Sequence, residues 1–243
     1  MSRIHFIGGE KGGVGKSVLA RLLAQYHIDK ALAFTAFDTD RSHGTLLRFY
    51  GDFSQPIALD DAQSADRIME TALEAEQNIL VDLAAQTSTS LHRWIDQTDL
   101  LALASEEGTQ IVFWHVLDDG ADSIALLDAL LARYEGAAAF VVVRNHGRGK
   151  DFANFTASPA HAKAQALGVP VMDLPELHAA SMRKIDHANT SLWAAAHNKD
   201  AGLGLMDRQR VKVWLNRSYQ QLDLIPDLLC GAALASSAQE PGQ

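Results

Sequence analysis

The feature that most constrains the fold is a glycine-rich stretch near the start of the chain, KGGVGKS at residues 11–17. An apolar run, IHFI, precedes it, and VLARLLAQY (18–26) follows it with apolar residues at helical spacing. Glycines between a strand pattern and a helix pattern predict a tight turn. The backbone N–H groups of such a turn converge at the first turn of the helix.

The rest of the chain continues the alternation of short apolar runs and helical patterns. Continuous apolar runs joined by helices predict parallel strands that are buried on both faces. We therefore expect an α/β fold with a doubly wound, mostly parallel sheet and helices on both faces, with the helical segments after residue 176 packed against one edge or face. The expected strands are IHFI (4–7), ALAFTAF (31–37), NILVDLA (78–84), LLALA (100–104), QIVFWHV (110–116), AAFVVV (138–143) and VPVMDL (169–174).

Composition favours a globular protein and excludes one held by internal disulfides. With 243 residues, 47% hydrophobic and 21% charged, the chain predicts one globular domain over 1–232 and a small, polar, disordered tail over 233–243. Cys230 is the sole cysteine, which excludes an internal disulfide and a cysteine-rich metal site. No secretory signal and no apolar stretch of about 18 residues is visible, so we expect a cytoplasmic protein without a membrane partner.

The glycine-rich stretch departs from the general phosphate-loop formula G-x-x-x-x-G-K-[ST] because Glu10 stands where the first glycine belongs. Its context still favours phosphate binding over a plain glycine turn. Lys16 is expected to bridge the β- and γ-phosphates of a nucleotide, and Ser17 to hold Mg²⁺. The helix N-terminus adds its positive dipole end. The expected nucleotide-binding residues of the loop are Gly12, Gly13, Val14, Gly15, Lys16, Ser17 and Val18.

KGGVGKS resembles the deviant Walker A loop of the ParA/MinD family of ATPases. In that family the additional lysine, here Lys11, reaches across a nucleotide-sandwich dimer to the partner's phosphates. The resemblance implies a P-loop NTPase with ATP and Mg²⁺ as cofactors, slow ATP hydrolysis, a homodimer in the presence of ATP, and Lys11 and Lys16 as catalytic residues. The alternative for Lys11 is a solvated surface lysine.

Three acidic residues extend the resemblance. Asp38 and Asp40 end the second apolar run, and the family's Asp-x-Asp at this place orients the attacking water and the Mg²⁺ shell. Asp82, after four apolar residues, fits a Walker B strand whose carboxylate holds Mg²⁺ directly or through water. The segments that follow, 41–44 and 83–86, differ from the family's usual Pro- and Gly-containing sequences. The alternatives are a solvated acidic turn and, for Asp82, an N-cap.

Weaker matches to the family concern residues that would contact the adenine base and the nucleotide of the partner subunit. Asn145, at the end of a late strand, corresponds to an asparagine that reads the adenine edge in similar proteins, although an asparagine in a turn is an equal alternative. Leu174 and Pro175 fall where the family lines the base. Asp118 and Asp119 fall where related ATPases touch the partner's nucleotide, but a solvated helix start is the favoured interpretation.

The resemblance implies a nucleotide-dependent dimer switch that acts in positioning or partition of a cargo. The cargo is plasmid or chromosome DNA, a conjugation apparatus or a protein cluster, reached through an unidentified protein adaptor or activator. The first alternative is an ATP-dependent small-molecule amidase or synthetase on the same fold, similar to enzymes of cobyrinic acid amidation. Those carry a glutaminase domain with a nucleophilic cysteine, and Cys230 lacks such a setting. A metal-cluster ATPase would need paired cysteines.

The charge distribution predicts that the chain alone does not bind duplex DNA appreciably at physiological salt. The net charge of −9 doubles in a dimer, and phosphate contacts weaken steeply with salt. Fluorescence anisotropy with a random duplex at 150 mM salt tests this expectation. Submicromolar binding would contradict it and would assign DNA contact to the most basic local stretch, which contains Arg208, Arg210, Lys212 and Arg217.

Overall fold

The computed structural model describes residues 1–8, 10–40 and 44–229. A seven-stranded sheet runs through it, and every pair of neighbouring strands is parallel. The strands are β1 (Arg3–Gly8), β2 (Phe34–Asp38), β3 (Ser54–Pro56), β4 (Asn78–Asp82), β5 (Gln110–Leu117), β6 (Ala139–Asn145) and β7 (Val171–Leu174). Their order in the sheet is β3-β2-β4-β1-β5-β6-β7, so β1 lies in the middle. All carboxyl ends therefore meet at one edge of the sheet.

Helices cover both faces of the sheet, each over its own apolar core. One face carries α1 (Lys16–Asp29), α2 (Thr45–Phe49), α9 (Ala179–Ala188), α10 (Leu192–His197), α11 (Leu205–Leu222) and α12 (Pro226–Leu229). The other face carries α3 (Ala62–Glu74), α4 (Ser88–Thr98), α5 (Leu100–Glu106), α6 (Ala121–Tyr134), α7 (Ala153–Thr156) and α8 (Pro159–Ala166). The predicted doubly wound α/β fold is confirmed, and the helices after residue 176 share one face.

Two strand predictions need correction. LLALA (100–104) forms α5 instead of a strand: Leu100 and Ala104, one helical turn apart, are buried, while Leu103 between them is exposed. The second strand begins only at Phe34, because Ala31, with φ of 53°, ends the helix before it. Strand β3 was not predicted, because it has no apolar run. It is an edge strand of three residues that ends in a proline.

Some predictions fall on segments that the structure does not describe. Arg41, Ser42, His43, Cys230 and the tail 233–243 lie outside the described residues. The extent of a single domain over 1–232 therefore stays a prediction. Among the described helices, none is both long enough and apolar enough to cross a membrane.

Helix α1, which starts at the glycine-rich loop, is buried on nearly all sides. Its apolar positions pack into the core, and its polar ones bind neighbouring helices. The guanidinium of Arg21 donates to Asp186 in α9 at 2.7 Å and lies 3.8 Å from the ring centre of Phe49. Gln25 accepts hydrogen bonds from Tyr50 at 3.1 Å and from the backbone of Trp193 at 3.0 Å. The helix that carries the loop is thus fixed from several directions.

A chain of buried hydrogen bonds lies at the opposite, amino-terminal edge of the sheet. The indole N–H of Trp114 donates to Nδ1 of His5 at 3.0 Å, so the proton of the neutral imidazole is on Nε2. His5 Nε2 then donates to Asn78 Oδ1 at 3.1 Å. The Asn78 amide in turn donates to the carbonyl of Leu229 at 3.0 Å. The last described helix is thereby tied to the central strands.

His27 is a second buried histidine near this chain of bonds, and it makes stability depend on pH. Its Nδ1 bonds the Leu23 carbonyl at 2.8 Å, while Nε2 is buried without a partner among the described residues. Burial lowers the pKa of His27 to about 4. Between about pH 6.5 and 4 the His27 imidazole is protonated in the unfolded chain but stays neutral in the folded chain. The contribution of His27 to stability is therefore complete above about pH 6.5 and declines as the pH falls.

We predict that His27→Leu reduces the pH dependence of folding. Between pH 6 and 4.5, the slope of the free energy of unfolding against pH should fall by about 1.4 kcal/mol per pH unit relative to the unsubstituted chain. Urea unfolding at several pH values measures it. His187→Leu, at an exposed histidine, is the matched control and should leave the slope unchanged. Equal slopes for His27→Leu and the unsubstituted chain would contradict the prediction.

Candidate functional site

The loop after β1 takes a path that only glycine allows at two positions. Gly13 and Gly15 have φ of 78° and 103°, in the left-handed region. A Cβ added to Gly15 would lie 2.2 Å from Nδ2 of Asn145. That same Nδ2 donates to the carbonyl of Val14 at 2.7 Å, so β6 clamps the loop from the side. The first turn of α1 follows directly, without a side-chain cap, and β1 delivers it to the carboxyl edge of the sheet.

Lys16 lies folded into the loop. It is 7% exposed, and its Nζ donates to the carbonyl of Lys11 at 2.9 Å. Burial lowers the pKa of Lys16, against the attraction of Asp82, which acts to raise it. A buried ammonium that bonds a neutral carbonyl would be stabilised further by an anion at the same place, because an ion pair offsets the cost of burying its charge. The loop therefore presents a positive charge and convergent N–H groups on the same side.

Two carboxylates lie side by side at the carboxyl edge. Asp38 and Asp82 are paired in register at the ends of β2 and β4, and they are 1% and 3% exposed. The oxygens of Asp38 accept from the backbone N–H of Asp40 at 3.0 Å and of Leu46 at 2.8 Å. Burial raises the pKa of Asp38 in spite of these bonds. The predicted Asp-x-Asp thus anchors the start of α2 to the site.

Asp82 has an unused coordination position. Its Oδ1 is buried without a hydrogen-bond partner among the described residues, while the Ser17 side chain bonds the carboxyl group. Burial, together with repulsion from Asp38, raises the pKa of Asp82 to about 7. The alternative of an N-cap is excluded, because α4 begins at Ser88. A hard cation beside Ser17 would satisfy the orphaned oxygen and favour the ionised carboxylate.

The protein groups alone do not complete a metal cage. Among residues 1–8, 10–40 and 44–229, no cluster of three or more His, Cys, Asp or Glu is arranged to hold a metal ion. Mg²⁺ commonly takes one or two protein ligands and completes its octahedron with water and phosphate oxygens. A hydroxyl from Ser17 and a carboxylate from Asp82 fit that pattern.

Lys11 is held within its own chain. Its Nζ forms an ion pair with Asp118 at 2.8 Å, and the hydrogen bond to Asp118 raises the pKa of Lys11. Asp118 also accepts from the Gly120 N–H at 3.1 Å and from Ser123. The favoured interpretation of a solvated helix start is wrong for Asp118, because its side chain is only 17% exposed and is bonded on several sides, whereas Asp119 is exposed as that interpretation expects. Asp119 is engaged too, accepting from the Lys150 N–H at 2.9 Å.

The residues predicted to surround the base lie together at the ends of β6 and β7. Asn145 and Leu174 are paired in register, and the carbonyl of Pro175 accepts from the indole of Trp214 at 2.7 Å. The Asn145 amide donates to Val14, so what the structure adds is a role in holding the loop. Its contact with adenine, and that of Pro175, stay predictions.

The basic stretch on α11 packs as expected, with Val211, Trp214 and Leu215 buried. Part of its charge is neutralised locally. Arg210 forms an ion pair with Asp207 at 3.2 Å, and Asp207 also pairs with Lys184. Arg208 donates to a backbone carbonyl at 2.8 Å and keeps its charge.

Two residues beside the predicted ones were not singled out from the sequence. Thr39, inside the Asp-x-Asp motif, donates to the Asp82 carbonyl at 3.0 Å and accepts from the Ala84 N–H at 2.7 Å, so it couples β2 to the turn after β4. Gln86, in that turn, has φ of 70°. A side chain at positive φ costs about 1 kcal/mol. The only signal for Gln86 was the lack of the usual family sequence after Asp82.

Comparison with known proteins agrees with this fold. No protein-family model matches the chain. The chain is 26% identical over 239 residues to Protein TraL of Escherichia coli, covering 92% of this chain and 98% of the relative. It is 23% identical over 177 residues to Protein MobD of Acidithiobacillus ferrooxidans, covering 72% of this chain and 78% of MobD. The MinD cell division protein of Aquifex aeolicus superposes with a TM-score of 0.56 and 12% identity, covering 92% of this chain and 97% of MinD.

These similarities define a class of fold. The superposition with MinD, over nearly all of both chains, confirms the P-loop NTPase fold. At 12% identity the likeness is one of fold alone. The sequence similarity to TraL also runs along nearly the whole chain, so the chain is similar to TraL in its full extent and not only in the loop.

The buried pair of acids predicts that Asp82→Asn stabilises the chain in the absence of nucleotide and Mg²⁺. Because the pKa of Asp82 is raised to about 7, the folded chain holds a proton there that the unfolded chain has released above about pH 4. The resulting loss of stability grows with pH and is complete above about pH 7. Asp82→Asn should therefore raise the free energy of unfolding by about 1–4 kcal/mol at pH 8, and by less at pH 5.

Urea unfolding in a chelating buffer measures this effect. Asp52→Asn, at an exposed aspartate, serves as the control for the loss of a carboxylate and should show no comparable gain in stability at pH 8. An Asp82→Asn variant that is less stable than the unsubstituted chain at pH 8 would show that the carboxylate is not under repulsion.

Proposed function

We propose that this protein is an ATP-binding, slowly hydrolysing ParA/MinD-like ATPase that acts as a nucleotide-dependent dimer switch. The observation that carries the proposal is the convergence of a buried lysine, Lys16, with Ser17 and the orphaned carboxylate of Asp82 at the carboxyl edge of a P-loop fold. Each group lacks the partner that Mg-ATP would provide. The KGGVGKS loop and the similarity in fold to MinD support the same function.

The loop residues bind the nucleotide in this proposal. Lys16 exchanges its bond to the Lys11 carbonyl for the β- and γ-phosphate oxygens, and the N–H groups of residues 12–18 surround the phosphates. Bound Mg-ATP supplies the transferable phosphoryl group and the cation that stabilises charge during transfer. Ser17 and Asp82 hold that cation, and Asp38 contributes to its shell.

Asp38 and Asp40 link the chemistry to helix α2. Asp40 orients the attacking water, as the family resemblance implies. Asp38 bonds the N–H of Leu46, so a change at the phosphate is transmitted to α2. A switch needs two states that the ligand stabilises differently, and an anchored helix next to the γ-phosphate provides one element that can differ between them.

Lys11 couples hydrolysis to dimerisation. In this chain Asp118 holds the Lys11 ammonium in cis, which keeps the side chain out of its own phosphate site. In the ATP-bound dimer Lys11 leaves Asp118 and serves the partner's nucleotide, where a cation delivered in trans accelerates phosphoryl transfer by about 10³–10⁵. A monomer lacks that cation and stays nearly inactive.

The switch acts in positioning or partition of a cargo through an unidentified protein adaptor or activator. The cargo classes that suit such a switch are a conjugation apparatus, plasmid or chromosome DNA, and a protein cluster. Product analysis distinguishes the switch from a small-molecule amidase or synthetase. A switch yields ADP and phosphate alone, whereas a synthetase also modifies a co-substrate.

We predict that Lys11→Ala binds ATP almost normally but loses ATP-dependent dimerisation and at least about a thousandfold in hydrolysis. Lys16→Ala should instead lose nucleotide binding. Lys150→Ala, at a lysine whose side chain is 71% exposed, is the control and should retain all three properties. Titration with labelled ATP, light scattering and phosphate release measure them.

The dimer mechanism also predicts the concentration dependence of activity. Hydrolysis per molecule should rise between nanomolar and micromolar concentrations of the unsubstituted protein, since only the dimer receives Lys11 in trans. Flat specific activity over this range, or full activity of Lys11→Ala, would rule out the sandwich dimer.

A further inference from the structure

We propose that Gln86 is a catalytic residue that orients the attacking water together with Asp40. The inference rests on the proposed ATPase function and adds to it a residue outside the matched motifs. It depends on three features of the turn between β4 and α4: the backbone conformation of Gln86, the cavity that it lines, and its unengaged amide.

The turn holds Gln86 in a conformation that its residue type disfavours. The Thr87 N–H donates to the Ala84 carbonyl at 3.4 Å, which closes a four-residue turn with Gln86 at its third position. With φ of 70°, this position suits glycine or asparagine. A glutamine there indicates that the side chain has a use, because backbone strain of this kind concentrates at functional sites.

The turn is anchored on both sides, so the strained residue is held in place. The Leu83 N–H donates to the Ile7 carbonyl of β1 at 3.1 Å, and the Ala84 N–H donates to Thr39 Oγ1 at 2.7 Å. The Thr87 hydroxyl donates to the Ala84 carbonyl at 2.8 Å. Anchored neighbours fix where the Gln86 side chain can reach, and a catalytic group requires such preorganisation.

Gln86 lines the same cavity as Asp40. This cavity has a volume of about 280 Å³ and opens at the carboxyl ends of β2 and β4, with Thr39 and Ala84 also in its wall. The turn also borders the phosphate loop, since a Cβ added to Gly12 would lie 3.9 Å from the Cβ of Ala85. The turn that carries Gln86 therefore lies beside the phosphate loop, and the cavity that it lines has room for several waters, each of about 30 Å³ in the liquid.

The Gln86 amide is free for this task. Its side chain is exposed and forms no hydrogen bond with the residues that the structure describes. An amide offers an acceptor and a donor at once. The oxygen accepts from the attacking water while the nitrogen donates to a γ-phosphate oxygen, which places the water in line. Some other P-loop enzymes orient their water with a glutamine.

The step that Gln86 assists is balanced hydrolysis. The water oxygen forms a bond to the γ-phosphorus as the bond from phosphorus to the bridging oxygen breaks. ADP leaves with that electron pair, and the water proton passes to the released phosphate. Gln86 is neither protonated nor consumed, so its effect is on orientation and on the charge that develops at the γ-oxygens.

Gln86→Gly tests the proposal, because glycine suits the positive φ and the variant should fold at least as stably as the unsubstituted chain. We expect ATP affinity within about twofold of the unsubstituted protein and a fall in kcat of about a hundredfold. Gln86→Asn, which keeps an amide but shortens its reach, should lose activity similarly. Gln97→Ala, at an exposed glutamine of α4 that does not line the cavity, is the matched control and should keep full activity.

A second readout separates catalysis from structure. Mg-ADP with aluminium fluoride mimics the transferring phosphoryl group, and the unsubstituted protein should retain ADP more tightly when fluoroaluminate is present. Gln86→Gly should bind ADP equally well but lose most of this gain. Normal kcat in Gln86→Gly, or an unchanged gain with fluoroaluminate, would overturn the role of Gln86 and leave the ATPase intact. Absence of turnover in the unsubstituted protein would overturn both proposals.

Discussion

The burial of two like charges beside a buried ammonium is the constraint on which this structure depends. Asp38 and Asp82 meet because parallel strands end at one edge, and Oδ1 of Asp82 has no hydrogen-bond partner among the described residues. A folded protein tolerates such a pair when the remaining contacts are strong, and here the two apolar cores on either side of the sheet provide them. The packing of the two apolar cores thus offsets the repulsion between the two carboxylates. A cation bound with a phosphate ligand would remove that repulsion.

The same edge joins elements that are far apart in sequence. Asn145 of β6 holds Val14 of the loop, and Thr39, directly after β2, holds the turn after β4. The loop is therefore defined by a side chain from another strand as well as by its own glycines. Sequence motifs describe the loop as a continuous segment, but its geometry is a property of the sheet.

The sequence was sufficient for the fold class because its two determinants are local. Apolar runs of strand length, and glycines before an amphipathic helix, are recognised in the sequence without knowing which strands pair. LLALA misled because a short apolar run is equally compatible with a helix, and only the burial of Leu100 and Ala104 distinguishes the two. Asp118 misled for a different reason. Its partner, Lys11, is more than a hundred residues away, and no local pattern marks an ion pair between distant loops.

The hydrogen bond between Asn78 and the Leu229 carbonyl has a practical consequence for how this chain can be handled. Asn78 begins β4, so Leu229 lies at the amino-terminal edge of the sheet, opposite to the phosphate loop. A truncation that removes α12 would leave the buried Asn78 amide without its acceptor, whereas one placed just after Leu229 preserves it. Fluorophores or affinity tags attached beyond that residue begin at the amino-terminal edge of the sheet, remote from the phosphate loop and from Lys11.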